Sequence, residues 1–467
     1  MKKQLLFISA TILLLTATCL LPTFASAQTL AAGYHHSLTI CSDNTVMAWG
    51  ENFQGHLGNG TVTNSSVPVP TSFLTNIIAI DGGHAHSIAL KNDSTVWTWG
   101  DNSLGQLGNG TIINSSVPLQ VTALTGIIAI AAGGNHSIAL KSDSTVWTWG
   151  NNFYGSLGNG TNTDSHVPVQ VPGLTGIIAI SGGFQHCIVL KSDSTVWAWG
   201  VNFDGELGDG TTTHSNIPVQ AYSLTGITAI DAGGYYSMAL KSDSTAWAWG
   251  YNSSGQLGNG GTTASPVPLQ IPVLTGIIAI AGGFSHSILL KNNGTVWASG
   301  GNTSGELGDG TTNYSSVHLQ AIGLTGIIAI AGGGDHSVVK KNDGTLLSFG
   351  SSQYGQLGNG TFNPSTAPVL VTGLCALSVS VNEITESVSV SVFPNPTNGK
   401  FTIQNDGMAM HNFQIEIYNM LGEKIYTSGL KQKAINEIDI SGSPKGIYFV
   451  QITDEKKNVV NKKIIIQ

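Results

Sequence analysis

Trp99-Gly100-Asp101-Asn102-Ser103-Leu104-Gly105-Gln106-Leu107-Gly108-Asn109-Gly110-Thr111 decides the fold, because it returns every fifty residues. Its opening dipeptide recurs as Trp49-Gly50, Trp149-Gly150, Trp199-Gly200 and Trp249-Gly250, then weakens to Ser299-Gly300 and Phe349-Gly350, making seven copies. A fixed period in this range marks one supersecondary unit that buries its apolar faces only by stacking on its neighbours. What the copies share is therefore architecture, and what differs between them carries any specific function.

Working outward from that stretch, one unit reads as four short strands. Ile77-Ile78-Ala79-Ile80 is an apolar run ending at Gly82-Gly83, and Ser87 to Leu90 forms a second strand. Lys91-Asn92-Asp93-Ser94 is a turn, and Thr95-Val96-Trp97-Thr98-Trp99 is a β-branched and aromatic third strand. After the glycine-rich loop comes Val117-Pro118-Leu119-Gln120-Val121. Seven such units predict an all-β chain whose residues 28–374 form a seven-bladed β-propeller. The seventh copy stops at Leu374 without a following apolar run, and Gln28-Thr29-Leu30-Ala31-Ala32 aligns with the missing strand. The expectation is that this N-terminal strand completes the last blade and closes the ring.

Residues 1–27 read as a signal peptide: Lys2 and Lys3, an apolar stretch from Leu5 to Leu21, and a small-residue cleavage site at Ala25-Ser26-Ala27. The remaining cysteines are Cys41, Cys187 and Cys375. Cys41 and Cys375 flank the repeat array and would be neighbours in a closed ring, so a bridge is compatible with closure; the plainer reading makes all three small apolar fillers. The chain contains no arginine, and residues 28–374 carry 7 lysines against 17 carboxylates. Such a surface is a poor match for nucleic acid or an anionic membrane. From Cys375 the composition changes: residues 375–391 read as a Ser/Val-rich linker, and residues 392–467 as about six alternating strands in a small β-sandwich.

Two resemblances follow from these residues. The pattern Gly-Gly-x-x-His-Ser, Asp-x-Thr-Val-Trp-x-Trp-Gly and x-Asn-x-x-Gly-x-Leu-Gly-Asn-Gly-Thr resembles the regulator of chromosome condensation repeat over residues 28–374. Kelch propellers share the period but lack the last of these stretches. The segments Val392-Phe393-Pro394-Asn395-Pro396-Thr397-Asn398-Gly399-Lys400-Phe401, Ile415-Glu416-Ile417-Tyr418-Asn419, Pro444-Lys445-Gly446-Ile447-Tyr448-Phe449-Val450 and Lys462-Lys463-Ile464-Ile465-Ile466 resemble the C-terminal sorting domain of type IX secretion cargo. The second resemblance implies a Gram-negative protein passing through the periplasm to be secreted or held at the cell surface, with the type IX machinery as a partner. The first implies a binding scaffold. The GTPase exchange and chromatin binding of the nuclear family member are not expected in an exported, arginine-free, acidic chain.

The repeated polar residues read as structure. His36, His86, His136, His186, His286 and His336 share one position, which Tyr236 fills in the fifth copy, as a packing and hydrogen-bonding site allows. Trp97, Trp147, Trp197 and Trp247, paired with Trp99, Trp149, Trp199 and Trp249, read as core. The Gly-Asn-Gly loops lack the clustered carboxylates of a calcium site. No cofactor, metal or nucleophile–base set is expected, so the chain reads as no enzyme. Asp-Ser-Thr at Ser94, Ser144, Ser194 and Ser244 resembles an O-glycosylation acceptor, against the plainer reading of a hairpin turn. Variation concentrates just before the histidine position, at Tyr34-His35, His84-Ala85, Gly134-Asn135, Phe184-Gln185, Gly234-Tyr235, Phe284-Ser285 and Gly334-Asp335. Tyr34, His35, His84, Phe184, Gln185, Tyr235, Phe284 and Asp335 are thus candidate binding residues, expected as loop tips on one face with few core contacts. The function expected is a monomeric, secreted or surface scaffold binding protein; carbohydrate binding, and behind it a polysaccharide-acting enzyme, are the alternatives.

Overall fold

The computed structural model describes residues 28–272, 274–375, 390–405, 413–419, 423–431, 435–453 and 459–467, so the expected leader and most of the expected linker lie outside the described residues. The described residues divide after Cys375 into two compact units.

The first unit is a seven-bladed propeller. Strands β1 (Leu30–Ala32), β2 (His36–Ile40), β3 (Val46–Gly50) and β4 (Ser65–Pro70) make an antiparallel sheet in that order, and six further sheets repeat it. In the second blade His86 stands opposite Gly100 and Leu90 opposite Val96. The third strand of that blade buries Val96, Thr98 and Trp99 and leaves Trp97 half-buried. Trp97 is less deeply set than Trp99 but packs against the same core cluster, as the core reading expects. Its indole N–H donates to Thr95 Oγ1 at 3.1 Å, and the Lys91 ammonium lies 5.5 Å from its ring. The first strands of the blades line the axis, each packed on the next, and β1 touches both the second and the seventh of them.

The repeat motif is consumed by bonds between blades. His36 Nε2 reaches Ser87 Oγ at 2.9 Å, His86 reaches Ser137 at 3.0 Å, His186 reaches Ser237 at 3.0 Å, His286 reaches Ser337 at 3.0 Å, and His336 returns to Ser37 at 2.8 Å. Each serine hydroxyl donates onward to a loop carbonyl of the preceding blade, as Ser87 does to His56 O at 2.8 Å. Its proton is committed there, so the imidazole must donate from Nε2. The same carbonyl accepts the Trp99 indole N–H at 2.9 Å. Asn102 organises the loop itself: its Oδ1 accepts the Leu107 N–H at 2.9 Å, and its Nδ2 donates to Thr111 O at 2.9 Å and Ile113 O at 3.1 Å. Gly108 has φ +66°, and a Cβ there would lie 2.7 Å from Trp149 Nε1 of the next blade, so only glycine fits. In the sixth blade Ser299 replaces the tryptophan, and the buried His318 fills the space, with Nε2 3.2 Å from Ser287 Oγ.

Closure differs from the expectation. The N-terminal strand does not complete the seventh blade: it is the innermost strand of the first, and all seven sheets are built from four consecutive strands. The ring is closed between blades instead. His336 meets Ser37, the Trp49 indole donates to Gln356 O at 2.9 Å, and the Gly360 N–H donates to Ser66 O at 2.8 Å, as Gly60 does to Ser116 at the next junction. Cys41 and Cys375 form a disulfide with Cα atoms 5.7 Å apart, tying the first blade to the chain after the last. The filler reading therefore holds only for Cys187, which is buried and free.

The second unit has two sheets around its own core. Val390–Phe393, Lys400–Asn405 and Ile435–Asp439 form one. Lys424–Lys431, Phe413–Asn419, Gly446–Thr453 and Val459–Ile466 form the other, and Phe401, Ile415, Ile438, Val450 and Ile464 are among the side chains buried between them. This is the small sandwich expected.

Candidate functional site

Each turn between the first and second strands of a blade is hydrogen-bonded to the long loop after its third strand, as in Glu51 N–H to His35 O at 2.9 Å and Val201 N–H to Gln185 O at 2.9 Å. The variable turns and the glycine-rich loops therefore share one face. Around the axis the turns clasp one another through backbone: Tyr34 N–H to Gly83 O, His84 to Gly134, Gly134 to Gly183, Phe184 to Gly234, Gly234 to Gly283, Phe284 to Gly333, and Gly334 back to Gly33.

The side chains in this circle are coupled. Tyr34 and Phe284 have ring centroids 5.0 Å apart, Phe184 and Phe284 5.4 Å, and Tyr34 and His84 4.8 Å. Tyr34, Phe184 and Phe284 come from blades one, four and six, so they meet only across the axis, and they stopper that end of the central channel. Tyr235 joins from the side, 5.5 Å from Phe184 and 5.6 Å from Phe284. A Cβ at Gly134 would lie 2.8 Å from Phe184 Cδ2, at Gly234 2.7 Å from Phe284 Cδ2, and at Gly334 2.9 Å from Tyr34 Cγ. Large and absent side chains alternate because each ring occupies its neighbour's Cβ space. The tips are half-buried and packed on each other, contrary to the expectation of few contacts.

The other candidates sit around this plug. His35 stacks 4.8 Å from Tyr354, whose ring lies 5.8 Å from Phe53, and burial lowers the His35 pKa to about 4. Burial raises the Asp335 carboxyl above its ordinary range. Gln185 lines a shallow recess of about 830 Å³ with Asn151, Phe153, Tyr154, Asn162 and Asp164. Phe53, Phe153 and Phe203 on the same loops are 57%, 65% and 58% exposed. Ser94, Ser144, Ser194 and Ser244 lie in the turns at the opposite ends of these strands, at φ of 64°, 66°, 64° and 64°. Gly294 and Gly344 hold the same position in later blades with φ of 75° and 86°, and the preceding aspartate caps the turn, Asp93 Oδ1 accepting Thr95 N–H at 3.1 Å.

A family model described as the RCC1-like domain matches residues 21–289, more than half of the chain, and the regulator of chromosome condensation (RCC1) repeat matches 277–306, 327–356 and 343–382. The chain belongs to the RCC1-like domain family. Its C-terminal unit matches the secretion system C-terminal sorting domain over residues 391–467, which marks it as exported cargo. The RCC1-like propeller is similar to Prp20p from Saccharomyces cerevisiae, at 23% identity and TM-score 0.63 over 75% of this chain and 87% of that one. Human WBSCR16 is similar at 24% identity and TM-score 0.60, over 67% and 86%. At these identities the likeness is one of fold. Among curated relatives, an endo-acting ulvan lyase from Formosa agariphila is 34% identical over 92 residues, 20% of this chain and 17% of the lyase. Ulvan lyase NLR42 from Nonlabens ulvanivorans is 30% identical over 90 residues, 19% and 16%. The chain thus spans about a sixth of the length of these relatives.

Below the plug, the RCC1-like propeller encloses an axial channel of about 620 Å³ lined by its first strands. Asp81 and Asp231 project into it, and burial pushes their carboxyls up to about 7 and about 6. Sequence reading missed this pair. The signal was present in the column before the Gly-Gly doublet: Ala31, Asp81, Ala131, Ser181, Asp231, Ala281 and Ala331.

Proposed function

We propose that this protein is a non-enzymatic binding scaffold that presents its loop face to a protein partner after export. One observation carries the reading: Phe53, Phe153 and Phe203 stand exposed on the variable face, while the residues common to all blades are committed to holding blades together. Exposed aromatics on a rigid frame are the residues that dominate protein interfaces once desolvated. Removal of a leader after Ala27, passage through the periplasm, recognition of the C-terminal unit by type IX machinery and a monomeric propeller belong to the same proposal. Yeast relatives offer an analogy, being described as bound to Kap60 and as binding Gsp1p and histones; the exchange activity of the nuclear protein is not part of the proposal.

The recess beside Gln185 favours a second reading, carbohydrate binding, since it combines Phe153 and Tyr154 with the amides of Asn151 and Asn162. Cross-linking of the purified protein to surface extracts, beside a glycan array, separates the two. A defined protein partner lost on Phe53→Ala, Phe153→Ala and Phe203→Ala supports the first. Glycan binding lost on Phe153→Ala alone supports the second and sinks the first.

A further inference from the structure

The propeller's charges are sorted between its two faces. The 7 lysines of residues 28–374, from Lys91 to Lys341, all stand at or next to the ends of second strands, on the face opposite the variable loops. They are occupied there: Lys141 and Lys191 lie 3.5 Å from Asp143 and Asp193, and the Lys291 ammonium lies 5.6 Å from the centre of the Trp297 ring. Of the 17 carboxylates, six share those turns, two lie in the channel, and nine stand on the loop face. No lysine of the propeller and no arginine of the chain accompanies these nine.

The loops do not need this charge, because sister blades make the same bonds with neutral amides. Asp209 Oδ1 accepts the Thr211 N–H at 2.9 Å, and Asn109 Oδ1 accepts that of Thr111 at 3.0 Å. Asp164 Oδ1 accepts the Asn152 N–H at 2.7 Å, and Asn114 Oδ1 accepts that of Asn102 at 2.8 Å. Glu206 Oε2 accepts the Asp204 N–H at 2.9 Å, the bond Gln256 makes to Ser254 at 3.1 Å. Glu206 is fully buried, its Oε1 has no hydrogen-bond partner, and burial raises its carboxyl to about 7. A buried carboxyl left without a partner is costly.

Asp164, Asp204, Glu206 and Asp209 fall in two adjacent blades, the third and fourth, where the exposed rings are also joined. Tyr154 lies 4.7 Å from Phe153 and, across the blade junction, 5.6 Å from Phe203. His214 packs 4.3 Å from Phe203, and its Nδ1 accepts the Asn202 N–H at 2.9 Å, so it stands there neutral. Asp164 shares the recess with Phe153 and Tyr154. Ring faces beside carboxylates suit lysine and arginine side chains, which combine ion pairing with cation–π contact. Opposite potentials also steer partners together and fix their orientation. Building on the protein-binding reading above, we infer that the partner is a cationic protein, whose arginine and lysine side chains dock on this anionic, aromatic patch of blades three and four.

The test uses the full chain and a fluorescent peptide alternating arginine and glycine, with citrulline in place of arginine as the uncharged isostere. The arginine peptide binds at least about tenfold tighter than the citrulline one, and its advantage shrinks as ionic strength rises to about 0.15 M. One variant combines Asp164→Asn, Asp204→Ser, Glu206→Gln and Asp209→Asn; a second combines Asp93→Asn, Asp143→Asn, Asp193→Asn and Asp243→Asn on the opposite face. Both remove the same number of carboxylates, and each new residue already stands at that position in another blade, as Asn293 does in the turns. The loop-face variant loses at least about tenfold in affinity and the opposite-face variant less than about twofold. Phe153→Ala with Phe203→Ala weakens binding at unchanged charge. Equal losses in the two charge variants overturn the inference, since net charge alone then draws the peptide. So does equal binding of the two peptides. A protein partner that depends on Phe53, Phe153 and Phe203 but binds the loop-face charge variant undiminished overturns the inference and leaves the scaffold reading standing. Capture of glycan alone overturns that reading itself.

Discussion

His136 Nε2 lies 3.0 Å from Cys187 Sγ in the next blade, the one sulfur in a ring of inter-blade contacts otherwise made to serine hydroxyls or, from Tyr236, to the His286 carbonyl. Sulfur is the weaker acceptor and the thiol the weaker donor, here donating to Ser156 O at 3.3 Å. Cys187→Ser should restore the hydroxyl relay and raise stability by about 0.5–1 kcal/mol. His136→Tyr should be tolerated, because Tyr236 reaches the next blade's carbonyl from the same position. His136→Ala leaves a cavity and an unserved Cys187, and should cost about 2–4 kcal/mol. Urea midpoints of the three variants check this ordering; an alanine variant as stable as the tyrosine one contradicts it.

The same histidines set the acid limit of the fold. Burial lowers His86, His136, His186 and His336 to about 3 and His286 to about 4, with His56 and His318 also near 3 and His36 well below its ordinary value. Between those values and 6.5 the unfolded chain binds more protons than the folded one, so stability is full above 6.5 and falls as pH drops below it. Asp81 and Asp231 act oppositely: their raised pKa values make the fold bind more protons between 3.8 and about 7 and about 6, so their contribution weakens as pH rises through that window. Burial raises Glu51, Asp204, Glu206, Glu306 and Asp335 in the same sense, but with His35, His84 and His214 the lowered imidazoles number eleven against seven raised carboxyls among the described residues, each group changing stability by up to ~1.4 kcal/mol per pH unit. Stability measured in urea should therefore collapse between about pH 6.5 and 5, above the usual carboxylate range. A flat profile across that interval would contradict burial of the imidazoles.

How far the chain could be read depends on whether a residue acts within one unit or between units. Strands, blade number and the histidine column were legible, because a fifty-residue period prints each of them seven times. The pairing of His36 with Ser87, by contrast, spans two copies, and only closing the ring shows that Ser37 serves His336. The alternation of Phe184 and Phe284 with Gly134 and Gly234 was visible as variation, but its cause is a contact across the axis that no linear spacing reveals. Asp81 and Asp231 were hidden for the opposite reason: they stand in a column that otherwise holds alanine and serine, where a chemical change looks like drift.

The plug should carry stability as well as surface. Tyr34→Ala, Phe184→Ala and Phe284→Ala each remove a half-buried ring packed on others, and each should cost about 1–3 kcal/mol. Gly234→Ala drives a Cβ into Phe284 and should destabilise even though it adds only a methyl group. Thermal melts at neutral pH check this. Unchanged melting temperatures in the three ring variants would return these residues to the status of free tips.

Closure should depend on both ends of the array. The Cys41–Cys375 bridge spans a sequence separation of 334, and in the chain-entropy view such a long loop is worth about 6 kcal/mol. Cys41→Ser with Cys375→Ser should lower the melting temperature, and a reductant should do the same to wild type but not to the double variant. Deleting residues 28–32 should lower it further, since it removes β1 and bares the inner edge of the first blade. If reductant leaves wild type unchanged, the bridge does not hold the ring.

The C-terminal unit should act as an address and not as a part of the propeller's core. Its buried side chains form one cluster of their own, from Phe401 to Ile466, while the propeller's apolar clusters are all drawn from residues before Cys375. The place of truncation matters. A chain ending at Leu374 loses Cys375 and with it the bridge to Cys41, so instability there would say nothing about the sorting unit. A chain ending at Cys375 keeps every inter-blade bond and should melt within about 2 °C of the propeller transition in the full protein, since the propeller's apolar clusters are complete without the later residues. In a host with type IX secretion it should fold and accumulate in the periplasm. Normal appearance of this truncated protein at the cell surface would mean that the propeller itself carries an export signal, and the assignment of the address to residues 391–467 would fail.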